Sequence, residues 1–93
     1  MSSITKKNIV KADEEVIINC GAFGFKPEKI ANILNWPADE VAELYRNKDS
    51  EFFKLLQKGR DTADYVLTLK LFELAQTGDL KALEEFENRR DEQ

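Results

Sequence analysis

Residues 26–48, KPEKIANILNWPADEVAELYRNK, decide the fold, because they read as two helices joined by a tight turn. Pro27 stands where a helix can begin: its missing N–H would be unpaired there, and its φ is already helical. Ile30, Ala31, Ile33 and Leu34 recur at the spacing of one helical face. Asn35 closes this helix at a position where left-handed backbone is tolerated, and Trp36-Pro37 forces a turn. A second helix is expected from Ala38 to Asn47, with Asp39 and Glu40 near its positive end. Val41, Ala42, Leu44 and Tyr45 supply its apolar surface. The steric pattern is that of a helix-turn-helix. Ala31 is the small residue needed where the second helix crosses the first, and Asn35, four residues later, accepts positive φ. Ile30, Leu34, Trp36, Val41 and Leu44 close a shared core. Such a turn can set the second helix in a DNA major groove.

Composition fits that reading and narrows it. A chain of 93 residues supports one small domain, or a helical fragment that assembles with copies of itself. Four Gly and two Pro leave little room for the turns of an all-β fold, so the fold class is all-α. One cysteine and no histidine exclude an internal disulfide framework and argue against a Cys/His zinc site. Cys20 follows Val16, Ile17 and Ile18 in an apolar run and reads as a buried, inert thiol. No signal peptide, transit peptide or membrane-spanning run is visible, and a cytoplasmic location is expected. The net charge of −4 is unevenly placed. Residues 1–60 carry 10 Lys and Arg against 9 Asp and Glu, whereas residues 61–93 carry 4 against 9. A polyanion should therefore meet the first two-thirds of the chain and avoid the last third.

Outward from the turn, residues 1–9 show no helical period and read as a flexible N-terminal arm. A helix is expected over Val10 to Cys20, ended by Gly21 or Gly24 in a GAFGF loop whose Phe23 and Phe25 anchor it in the core. Residues 10–48 thus form a three-helix unit. After it, Asp49 or Ser50 can cap a long helix reaching Gln76, unless Gly59 interrupts it. Phe52, Phe53, Leu55 and Leu56 make its first part amphipathic. In its second part Leu67, Leu71 and Leu74 occupy one face, Tyr65, Leu69 and Phe72 another, and Val66 neither. A helix apolar almost all round must be buried on more than one side. Gly78 stops it, Asp79 caps the next helix, and Leu80, Leu83 and Phe86 line one side of an αα-hairpin. One apolar face remains for another subunit, so residues 49–90 are read as a self-association region. Its interface residues are Tyr65, Leu67, Leu69, Leu71, Phe72 and Leu74. Residues 91–93 read as a disordered tail.

No enzyme is visible. GAFGF lacks the Lys-Ser/Thr partner and glycine spacing of a phosphate loop, and histidine, the usual general base, is absent. No cofactor is expected and no metal ligands are assigned; Asp13-Glu14-Glu15 and Glu84, Glu85 and Glu87 read as solvated helical faces. Double-stranded DNA is the expected partner, through Lys26, Lys29, Arg46, Asn47, Lys48, Lys54, Lys58 and Arg60. Contact through these residues would go mainly to the DNA backbone. Asp39, Glu40 and Glu43 are a liability at the end that would enter a groove, because phosphate neutralisation supplies most non-specific affinity. The competing reading is a helical protein-interaction module whose helix-turn-helix touches no DNA. A third is a small transcriptional regulator.

A helix-turn-helix of the form PEKIANILNWPADEVAELY followed by DSEFFKLLQKGRDTADYVLTLKLFELAQTGDLKALEEFENR resembles the small subunit of tailed-phage terminases. The resemblance rests on Asp49 to Phe53 at the start of the long helix and on the Lys58-Gly59-Arg60 element. Leu74, Ala75, Gly78, Asp79, Ala82 and Leu83 then turn into the final helix. It covers about residues 21–90. The resemblance implies a packaging-initiation protein that recognises viral DNA, oligomerises through a helical hairpin and hands DNA to a large subunit holding the ATPase and nuclease. A prophage-encoded or shortened relative fits equally well.

Overall fold

The computed structural model describes residues 9–92, and over them the protein is all-α, with no strand among the described residues. The helices are α1 (Lys11–Phe23), α2 (Pro27–Leu34), α3 (Ala38–Arg46), α4 (Glu51–Gln76) and α5 (Leu80–Asp91). Residues 1–8, most of the expected arm, lie outside the described residues. Ile9, its last residue, is half-buried against the core.

The chain divides into two compact units, one up to Thr62 and one from Ala63 onward. In the first, α1, α2, α3 and the start of α4 surround a core of Ile17, Cys20, Ile30, Ala31, Val41, Phe52, Leu55 and Leu56. Leu34, Trp36 and Leu44 pack against its rim, and the Trp36 ring lies 6.2 Å from that of Phe52. Ile33 is exposed, so the apolar face of α2 is narrower than its spacing implies.

The turns follow local chemistry. Pro27 opens α2 at its first residue. Asn35 takes up φ 61° and ψ 41°, and the Trp36 N–H donates to Ala31 O at 3.0 Å, closing the helix with a left-handed cap. Pro37 precedes α3, and its carbonyl accepts from Val41 N–H at 3.1 Å. Ser50, rather than Asp49, caps α4: its Oγ accepts from Phe53 N–H at 3.0 Å. That hydroxyl also donates to Leu44 O at 2.9 Å, fastening the end of α3 to the start of α4.

Gly21 departs from expectation, while Gly24 ends α1 and Gly59 leaves α4 uninterrupted. α1 runs through Gly21 and ends at Gly24, whose φ is +74°. Gly24 N–H donates to Gly21 O and Phe25 N–H to Cys20 O, each at 3.1 Å, the paired bonds of a Schellman cap. Gly21 is instead a crossing point. A Cβ there would sit 2.8 Å from Leu56 Cα and closer still to the Leu56 carbonyl. Gly59 answers it from α4, where a Cβ would run into the Ile18 carbonyl and lie 2.9 Å from Ala22 N. Neither glycine breaks its helix, because each allows the two backbones to touch. Phe23, expected in the core, is 66% exposed. Its ring meets that of the half-buried Phe25 at 5.3 Å in a tilted arrangement, because the extra turn of α1 carries it past the packed region.

In the second unit α4 and α5 form a hairpin. Gly78 adopts φ +97°, and Asp79 Oδ1 accepts from Ala82 N–H at 3.0 Å. Phe72 and Phe86 meet at 5.3 Å, Ala82 is buried, and Arg89 forms an ion pair with Asp64 while its Nε donates to Thr68 at 3.2 Å. Asp91, assigned from sequence to the disordered tail, is helical as the last residue of α5; Gln93 lies outside the described residues.

Candidate functional site

The eight basic and polar residues assigned to DNA are all exposed, and they fall into three groups. Lys26 and Lys29 stand at the start of α2, Lys26 as its N-cap. Lys29 Nζ lies 4.6 Å from the centre of the Phe25 ring, a cation–π contact that holds one end of this group. Arg46, Asn47 and Lys48 form the second group, at the end of α3. The backbone here is fixed. Asn47 Oδ1 accepts from Asp49 N–H at 3.0 Å, the Asn47 carbonyl accepts from Ser50 N–H at 3.0 Å, and Ser50 ties to Leu44 as described. Neither Arg46 nor Lys48 makes an ion pair with another described residue.

Lys54 and Lys58, four residues apart on α4, share one face as the third group. Arg60 lies two residues beyond Lys58 and so turns to a different side, away from that pair. Glu51 and Asp61 share the Lys54 and Lys58 face and dilute its charge; Asp61 also accepts from Gln57 at 3.0 Å. On α3, Asp39, Glu43 and Arg46 follow one another at helical spacing and are exposed, so its outer surface runs from acidic to basic. Asp39 is partly used locally, accepting from Glu40 N–H at 3.0 Å. Phosphate could approach the last turn of α3 but would be repelled from the first.

Cys20 is buried, and desolvation raises its pKa, which keeps the thiol protonated and inert. Among the described residues no three His, Cys, Asp or Glu side chains gather where they could hold a metal ion. No described helix is long and apolar enough to cross a membrane.

The residues assigned to self-association divide. Tyr65, Leu67, Leu69, Phe72 and Leu74 are exposed, whereas Leu71 is half-buried. α5 covers neither apolar stripe squarely. It lies between them, over Asp64 and Thr68, with Leu71 of one stripe half-buried and Phe72 of the other against Phe86, and the Arg89 pairing fixes it there. Val66, assigned to neither stripe, therefore sits on the outward side of α4 and is 58% exposed. The 100° step between residues puts Lys70 and Glu73 on that same side. The sequence held this signal, but only the position of α5 says which side is outward.

Comparison of the chain with protein-family models, curated proteins and solved structures yields no match.

Proposed function

We propose that this protein is a non-enzymatic adaptor that binds double-stranded DNA and self-associates, in the manner of the small subunit of a tailed-phage terminase. The observation that carries the DNA reading is the end of α3. Arg46 and Lys48 are exposed, make no ion pair with another described residue, and sit on backbone fixed by Asn47 and Ser50. Cations on a rigid mount lose little entropy on meeting phosphate. Contact at this end is mainly to the backbone and selects sequence weakly, so several copies are needed for a useful affinity. The exposed apolar side chains of α4 support that self-association. In this reading α2 and α3 act as the helix-turn-helix, a separate large subunit supplies the ATPase and nuclease, and the setting is the cytoplasm of a bacterial host.

The acidic outer surface of α3 favours a second reading, in which α2 and α3 are only a scaffold for a protein-interaction module. Fluorescence anisotropy with duplex DNA across a salt series separates the two. Arg46→Ala with Lys48→Ala should lower affinity uniformly over sequences and flatten the log–log salt slope by roughly 2. An unmodified protein that fails to bind duplex even at low salt rules out the DNA reading and leaves the module.

A further inference from the structure

We propose that Phe23 and Phe25, with Lys26 and Lys29 beside them, form a stacking platform for an unpaired base of a single-stranded nucleic acid. This goes beyond the duplex reading above and does not depend on it, because the bases of a duplex are already stacked on one another.

Three observations in the first unit carry the inference. The first is the exposure of Phe23. It is 66% exposed, and among the described residues of this unit it is the one aromatic side chain left exposed. A phenylalanine ring presents a large apolar face, and every nucleobase has a π-face to lay against it. The second is a fixed mount. Phe23 is the last residue of α1, and the cap at Gly24 ties the chain just beyond it to the Gly21 and Cys20 carbonyls. The Phe25 ring lies 5.3 Å from that of Phe23 at 50°, and Phe25 itself packs against the core. A ring held in this way loses little freedom when a base settles on it. The third is charge. Lys26 directly follows Phe25, and Lys29 Nζ lies 4.6 Å from the centre of the Phe25 ring. Both lysines are exposed, and neither makes an ion pair with another described residue. Cations set among aromatic rings match a strand that alternates phosphates with bases.

The surroundings leave that match intact. Glu28 is the one carboxylate of α2, and the 100° step to Lys29 sets it on a different side of the helix. Asn19, one turn before Phe23 on α1, is exposed and uncharged. An acidic peptide fits the patch less well. A peptide helix needs a row of apolar anchors in a groove, and α2 adds one exposed apolar side chain, Ile33, a turn beyond Lys29. A base needs a single ring face.

The test is fluorescence anisotropy on the full chain with labelled oligothymidylate and oligouridylate, neither of which forms a duplex with itself. Circular dichroism establishes that each variant is folded. Phe23→Ala should weaken binding about tenfold. Phe23→Leu, which keeps apolar bulk without a π-face, should weaken it several-fold, and Phe23→Trp should keep it. Lys26→Ala with Lys29→Ala should flatten the log–log salt slope by roughly 1.4. Affinity for a blunt duplex should not change in Phe23→Ala, and a loss there overturns the unpaired base. Equal losses with both oligonucleotides support a platform that leaves the sugar unread, and a loss with one alone assigns DNA or RNA. Binding that survives both Phe23→Ala and Phe23→Leu is held by charge alone and overturns the platform. Failure of the unmodified protein to bind either strand at low salt overturns it too. A glutamate–tyrosine copolymer that binds through Phe23 where the strands do not would give the ring to an acidic peptide instead. Duplex binding by Arg46 and Lys48 has its own titration, so the two readings fail separately.

Discussion

The first half of α4 and its second half are both rich in large apolar side chains, and they end in opposite environments. Phe52, Leu55, Leu56 and Gly59 are the buried residues of this helix, and all lie in its first nine positions. From Ala63 to Gln76 none is buried. The first half is enclosed by three other helices that contribute Ile17, Ile30 and Val41 to one core. The second half has α5, which reaches it through Phe86 and Arg89. Burial is therefore set by how many neighbours a helix has, not by how apolar it is. The half that folds into a core is structural, and the half with one partner is left with surface to offer.

The largest effect should come from deleting a ring on each half. Phe52 is 0% exposed, and Phe52→Ala should cost about 3–5 kcal/mol in urea unfolding. Phe72 is 41% exposed, and Phe72→Ala should cost roughly 1 kcal/mol of the monomer's stability while weakening self-association. Equal losses would erase the contrast. The glycines sharpen it next. Gly59→Ala would stabilise a free helix by about 1 kcal/mol, yet at this crossing it should destabilise the protein by about 2–3 kcal/mol. Gly78→Ala has open space around it and should lose only about 1 kcal/mol, from positive φ. A stabilising Gly59→Ala would mean that the backbones of α1 and α4 do not touch. The smallest effects should separate the two caps. Ser50 is 2% exposed and bonds both Phe53 and Leu44, so Ser50→Ala should cost about 2 kcal/mol in thermal unfolding. Asp79, exposed and bonded to Ala82 alone, should cost about 1 kcal/mol when changed to Ala.

Much of this fold is legible in the chain, and the parts that are not share a cause. Pro27, Asn35, Trp36-Pro37 and Gly78-Asp79 punctuate the helices where their backbone chemistry says they should. The candidate DNA residues, seven of them basic and Asn47 polar, are exposed, as local composition implies, although Arg60 turns away from Lys54 and Lys58. Gly21 reads from the sequence as a helix stop, and the structure makes it a contact instead. A glycine within an apolar helix is either a stop or a contact, and only the presence of Leu56 against it decides. Phe23 follows from that choice, since extending α1 carries its ring out of the core.

The sequence by itself determined the order of the helices, most of their ends and which stretches are apolar, because these depend on backbone dihedrals and on hydrogen bonds between near neighbours. Tertiary structure decided which apolar faces are hidden. Hydrophobic attraction has no direction of its own, so the spacing of Tyr65, Leu69 and Phe72 or of Leu67, Leu71 and Leu74 cannot say where α5 will lie. Directional contacts between distant residues, Arg89 with Asp64 and Phe86 with Phe72, set α5 on one side of α4 and left Val66, Lys70 and Glu73 on the other.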